Sequence, residues 1–181
     1  MNIFISGGCK NGKSSFAQEL ALKLADGGRH FYVATMIPYD SEDRLRVKRH
    51  LENRAGMGFE TIECPRELLR VFDTAPENAS FLVDSVTALL LNEMFSSDYN
   101  GSADPTAAAR CIRDLSAFAA RAENAVFVSD FIYSDARRYD AFTESYRRAL
   151  AETDRALAAV CDTVIELCAG TVSLWKGELP T

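Results

Sequence analysis

Eight residues near the amino terminus, Gly7-Gly8-Cys9-Lys10-Asn11-Gly12-Lys13-Ser14, have the form G-x-x-x-x-G-K-S. Glycines at this spacing let the backbone curl so that its N–H groups converge on phosphate oxygens. A helix starting directly afterwards adds the positive end of its dipole at the same place. In such a loop Lys13 reaches the β- and γ-phosphates, and the Ser14 hydroxyl ligates Mg²⁺. The expected ligand is a nucleoside triphosphate with its magnesium ion.

Other side chains could complete this chemistry. Asp84 follows Phe81-Leu82-Val83, the pattern of a strand-end carboxylate that helps hold Mg²⁺ or its water shell. It equally fits an aspartate capping the next helix. Asp130 ends a second apolar run and is the runner-up as metal ligand or base. His50 has Arg46 at i−4 and Arg54 at i+4, positions that share one helix face. An imidazole between two guanidiniums suits a phosphate, and the pair could clamp a transferring phosphoryl or nucleotidyl group. Taken alone, an exposed histidine on a basic, solvated helix is the simpler reading. Glu63, on an alternating strand, could accept hydrogen bonds from a guanine, although a surface glutamate accounts for it as well. His30, at a strand start, has only a structural reading.

The elements that must position these residues alternate in type. Apolar runs at Asn2–Ser6, His30–Met36, Ser80–Asp84 and Ala125–Asp130 read as buried strands, and Phe59–Cys64 alternates like an exposed or edge strand. Helical spacing covers Ser15–Ala25, Ser41–Arg54, Ser85–Phe95, Thr106–Asn124 and Ala141–Val160. Asp40 or Ser41 caps the second of these helices, and Pro65 opens a short helix to Asp73. A closing hairpin pairs Asp162–Cys168 with Thr171–Trp175 around Ala169-Gly170. Strands alternating with helices imply a mainly parallel sheet covered on both faces. In such sheets ligands sit beyond the carboxyl ends of the strands, where the phosphate loop, Thr35, Asp84 and Asp130 fall. Residues 96–105, polar and glycine-bearing, are the expected mobile segment.

Composition narrows the function class. With 181 residues, 48% apolar and 25% charged, one domain spanning residues 1–181 with one substantial core is expected. A net charge of −6 argues against a general nucleic-acid binder. No apolar run reaches the length of a membrane span, and the first strand stands where a leader would be. The expectation is a cytoplasmic protein with neither membrane nor nucleic acid as partner. Five scattered cysteines with no C-x-x-C pair fit reduced thiols better than disulfides or zinc.

Taken together, these residues resemble the bifunctional adenosylcobinamide kinase/adenosylcobinamide-phosphate guanylyltransferase family of cobalamin biosynthesis. Ile3-Phe4-Ile5-Ser6 with Gly7 to Ser14 is like the family's strand plus T-G-G-x-x-S-G-K-S. Tyr32-Val33-Ala34-Thr35 is like Y-I-A-T, and Arg46 to Arg54 is similar to R-I-x-x-H-x-x-x-R. Glu63 falls in a T-x-E segment, and Asp84-Ser85-Val86-Thr87 with Asn92 looks like D-x-L-T followed by Asn.

The resemblance implies a RecA-like P-loop fold, a homotrimer, and GTP and ATP as substrates beside a corrinoid. It makes His50 the residue that takes GMP from GTP as a phosphoramidate. It makes Gly7 to Ser14, Ala34, Thr35, Met36, Leu51, Glu52, Asn53, Arg54, Glu63 and Asp84 nucleotide contacts. The reactions implied are phosphoryl transfer to the alcohol of adenosylcobinamide, then GMP transfer through His50 to the resulting phosphate. The second half departs from the pattern. Ser129-Asp130-Phe131-Ile132-Tyr133-Ser134-Asp135-Ala136 stands in place of S-N-E-V-G-x-G followed by proline, while Arg148, Asp154 and Leu157 fall in an F-R-x-x-x-x-x-x-N-Q-x-L-like context. That departure keeps two alternatives open: a P-loop kinase for another small alcohol, and a non-catalytic GTP-binding relative.

Overall fold

In a computed structural model, residues 1–95 and 103–180 are described. The segment expected to be mobile lies largely outside them. A seven-stranded sheet has the order β3-β2-β4-β5-β1-β6-β7. Its strands are β1 Asn2–Gly7, β2 His30–Ala34, β3 Glu60–Glu63, β4 Ser80–Asp84, β5 Asn124–Val128, β6 Thr163–Cys168 and β7 Thr171–Lys176. Six strands run parallel and β7 alone is antiparallel. The closing hairpin is therefore not a purely antiparallel addition, because β6 continues the parallel set beside β1. Its turn places Ala169 and Gly170 at φ 50 and 76, the positive values a tight hairpin needs.

Five α-helices connect the strands: α1 Lys13–Ala25, α2 Ser41–Asn53, α3 Val86–Met94, α4 Ala107–Arg121 and α5 Ala141–Val160. A 3₁₀ turn spans Leu68–Asp73. Side chains alternate across each strand, so the sheet separates two apolar layers. Phe4, Phe31, Val33, Phe81, Val83 and Phe127 face α3, α4 and α5. Ile3, Ile5, Tyr32, Leu82, Val126 and Val128 face Ala17, Leu20 and Ala21 of α1. On the larger side, Phe81 and Phe118 meet edge to face with ring centroids 5.2 Å apart.

Helix ends are close to their sequence signals. Asp40 caps α2 by accepting from the Asp43 N–H at 2.8 Å, and Ser85 caps α3 through the Ala88 N–H. The fourth helix stops at Arg121 rather than Asn124, because Asn124 begins β5. The second helix buries none of its residues, as its sparse apolar positions imply.

Candidate active site

The phosphate loop joins β1 to α1. Gly12 caps α1 with φ 91, and Lys10 has φ 58; such left-handed turns aim backbone N–H groups inward. Gly7 is required for another reason: a Cβ there would collide with the Leu167 carbonyl and lie 2.8 Å from the Asn11 amide nitrogen. That amide donates to the same carbonyl, tying the loop to β6. Gly8, Cys9 and Lys10 are exposed, and Ser14 is half-buried. Lys13 is 5% exposed. Its ammonium donates to the Gly8 carbonyl at 2.7 Å and pairs with Asp130 Oδ1 at 2.8 Å.

Asp84 closes β4 two strands away. Its Oδ2 accepts from the Tyr32 hydroxyl at 3.0 Å, and His50 Nδ1 lies 3.8 Å from the same oxygen. The imidazole thus faces a carboxylate at the sheet's carboxyl end. It is half-buried, and no hydrogen bond reaches its Nδ1. Burial, then the charge of Asp84, pushes the Tyr32 hydroxyl well above its ordinary range, so it remains a donor.

Arg54 does not stay beside Arg46. Its guanidinium lies over the Tyr32 ring, 3.8 Å from the centroid, and donates to Thr61 Oγ1 at 3.2 Å. Arg46 is exposed on α2. The two arginines therefore do not form the expected pair around His50; one is taken up by an aromatic face. Thr35 is fully buried. Its hydroxyl exchanges hydrogen bonds with the Ser85 backbone, and its carbonyl accepts from Asn92 at 2.8 Å. Ala34 and Met36 flank it, half-buried. Leu51, Glu52 and Asn53 are exposed on the last turn of α2, and Glu63 is exposed at the end of β3, in register with Ala34. His30 holds the Gly28 and Met57 carbonyls, each at 2.9 Å, as a structural histidine does.

Three functional neighbours were hidden in the sequence. Tyr32 links Arg54 to Asp84, although a tyrosine in a buried strand reads only as core. Arg147, rather than the neighbouring Arg148, is the buried arginine of α5, pairing with Asp135 and Glu144 at 2.7 Å each. Asp154 is 3% exposed and accepts from the Tyr133 hydroxyl at 3.1 Å. Burial raises its carboxyl to about 7, with the hydroxyls of Ser129 and Tyr133 opposing and the charge of Asp130 adding. The only signal for it was a carboxylate on the apolar face of a helix.

The donor set suits a magnesium ion. The Ser14 hydroxyl and the carboxylates of Asp84 and Asp130 are hard oxygen ligands, and Ser14 has no protein partner among the described residues. No group of three or more His, Cys, Asp and Glu that could bind a metal without substrate oxygens exists among them. None of the described helices is long and apolar enough to cross a membrane.

A glycine loop at the end of β1, strand-end carboxylates on β4 and after β5, and this strand order define a RecA-like P-loop nucleotide-binding protein. Solved structures agree on the fold. A prototypical ATPase from the type III secretion system of pathogenic bacteria matches with TM-score 0.54 at 14% identity, over 92% of this chain and 51% of its own. The chain thus spans about half the length of that ATPase. A second solved structure, an isolated ATPase domain, matches with TM-score 0.51 at 10% identity, over 91% of this chain and 68% of its own. A search of curated proteins returns no match. The family model of cobinamide kinase/cobinamide phosphate guanyltransferase matches residues 3–174. The chain belongs to that enzyme family.

Proposed function

We propose that this chain phosphorylates the alcohol of adenosylcobinamide and then transfers GMP from GTP to the product, in cobalamin biosynthesis. The observation that carries the reading is the placement of His50. A histidine from an otherwise solvated helix faces Asp84 at 3.8 Å, at the end of the sheet where the phosphate loop opens. With Nδ1 toward the carboxylate, Nε2 is left as the nucleophile. It would attack the α-phosphorus of GTP, diphosphate would leave, and a histidine–GMP phosphoramidate would hold the nucleotide for the second acceptor. Asp84 would orient the ring, and Tyr32 and Arg54 would orient Asp84.

In the kinase step Lys13 and the loop N–H groups would grip the triphosphate. Ser14 with Asp84 would hold Mg²⁺, whose charge offsets that developing on the phosphates. Glu63, at the edge of the sheet beyond β2, fits a guanine contact. A trimer fits the bare surface of α2, where Leu45 and Leu51 are about half exposed. A second subunit there would cover apolar side chains beside His50. The whole of residues 1–181 would act as one nucleotide-binding domain in the cytoplasm.

Incubation with adenosylcobinamide, ATP and GTP tests the reading. The expected products are the phosphorylated corrinoid and then its GDP derivative, separated chromatographically and weighed by mass spectrometry. Nucleotide consumption without any corrinoid product would point to a kinase for another small alcohol. GTP binding without turnover would leave a non-catalytic relative.

A further inference from the structure

The ion pair between Lys13 and Asp130 has no part in the two-step scheme. The sheet order puts β5 between β1 and β4, so Asp130 emerges between the phosphate loop and the His50–Asp84 pair. Its backbone is fixed, because its N–H donates to Thr87 Oγ1 at 2.8 Å. Its carboxylate reaches the Lys13 ammonium at 2.8 Å while the side chain stays 30% exposed. It is held at the loop and open to a substrate.

The neighbouring residue shapes the approach. The Phe131 N–H donates to the Gly7 carbonyl at 2.9 Å, which fastens this segment to the phosphate loop. The Phe131 ring is 40% exposed and meets Tyr133 edge to face at 4.8 Å. With Ile132, Ser134, Asp135 and Tyr139 it lines an open groove of about 360 Å³. Asp130 stands next to the residue that heads that groove. Where the family pattern reads S-N-E, this chain reads Ser129-Asp130-Phe131. The carboxylate is one residue earlier, against the lysine, and an aromatic ring occupies the next position.

We infer that Asp130 is the general base of the phosphoryl-transfer step, taking the proton of the acceptor's alcohol. The inference rests on the kinase half of the proposed function and not on the guanylyl half. When a triphosphate binds, its oxygens compete for Lys13 and the Asp130 carboxylate turns to the acceptor. The alcohol oxygen then bonds to the γ-phosphorus as the bond from that phosphorus to the bridging oxygen breaks. The nucleoside diphosphate leaves with that electron pair, and the hydroxyl proton passes to Asp130.

The test compares the wild-type chain with Asp130→Asn and Asp130→Ala, measuring γ-phosphoryl transfer from ATP to adenosylcobinamide and, separately, the Kd of a fluorescent triphosphate. Both variants should lose on the order of 100-fold or more in kcat, with Kd unchanged or tighter because a negative charge has gone. Nucleotide binding shows that each variant is folded, and the smaller alanine cannot clash. Transfer within about threefold of wild type would overturn the role. So would faster transfer, which would make the ion pair a brake on an empty loop. Absence of transfer in the wild type itself would sink the kinase reading, an outcome distinct from a variant that works as well as its parent.

Discussion

Two side chains carry most of the chemistry that can be tested at the scale of a residue. Removing the Asp84 charge should leave His50 without its orienting partner. Asp84→Asn should slow guanylylation of the protein by roughly 10- to 100-fold, by analogy with loss of a partner that orients a metal-bound imidazole; quenched-flow labelling with GTP measures it, and an unchanged rate would detach the two residues. Asp154 is the other. Its carboxyl titrates near its ordinary value of about 4 when unfolded and at about 7 when folded. Between those values the folded chain keeps a proton that the unfolded chain has lost, so stability falls as pH rises through the window. The slope approaches about 1.4 kcal/mol per pH unit. Asp154→Asn keeps the shape without the ionisation, so urea unfolding should show a flatter profile from pH 4 to 7 and a more stable protein at pH 8. Identical profiles would mean that Asp154 ionises freely in the fold. Lys13 and Ser14 were legible because their partners are local and the loop is contiguous. The Tyr32–Asp84 contact joins residues 52 positions apart, and no spacing rule encodes it.

At the scale of elements, α2 is the exposed carrier of the proposed nucleophile. It has no buried residue, so little packing holds it and its cap matters more than usual. Asp40→Ala should cost α2 about 1 kcal/mol, speed hydrogen exchange from Ser41 to Asn53, and slow guanylylation while leaving the global Tm within a few degrees. A large drop in Tm would show instead that α2 is integral to the core. The helix itself was readable from Asp40, its acidic first turn and Gly56. The fate of its arginines was not, because helical spacing gives the face of Arg54 but not the Tyr32 ring waiting beside its last turn. The same limit applies to β6: hairpin spacing showed its link to β7, but its parallel pairing with β1 is a tertiary choice.

For the whole molecule, strand–helix alternation was enough to give a parallel α/β sheet, because buried strands must be apolar on both faces and their crossovers must be helical. It did not give the strand order, and that order places Asp130 between the phosphate loop and Asp84. Assembly belongs to this scale too. Sedimentation should show three times the 20.0 kDa chain mass, and Leu51→Asp should lower it; a stable wild-type monomer would remove the subunit-boundary reading of α2. The central claim is that the His50 imidazole comes within bonding reach of a triphosphate held by the Gly7–Ser14 loop. Intact-mass analysis after incubation with GTP and Mg²⁺ tests it most directly. The expected result is an acid-labile GMP adduct mapped to His50, lost in His50→Ala and retained in His30→Ala. A chain that binds GTP tightly but carries no adduct, or carries it on another residue, would contradict it.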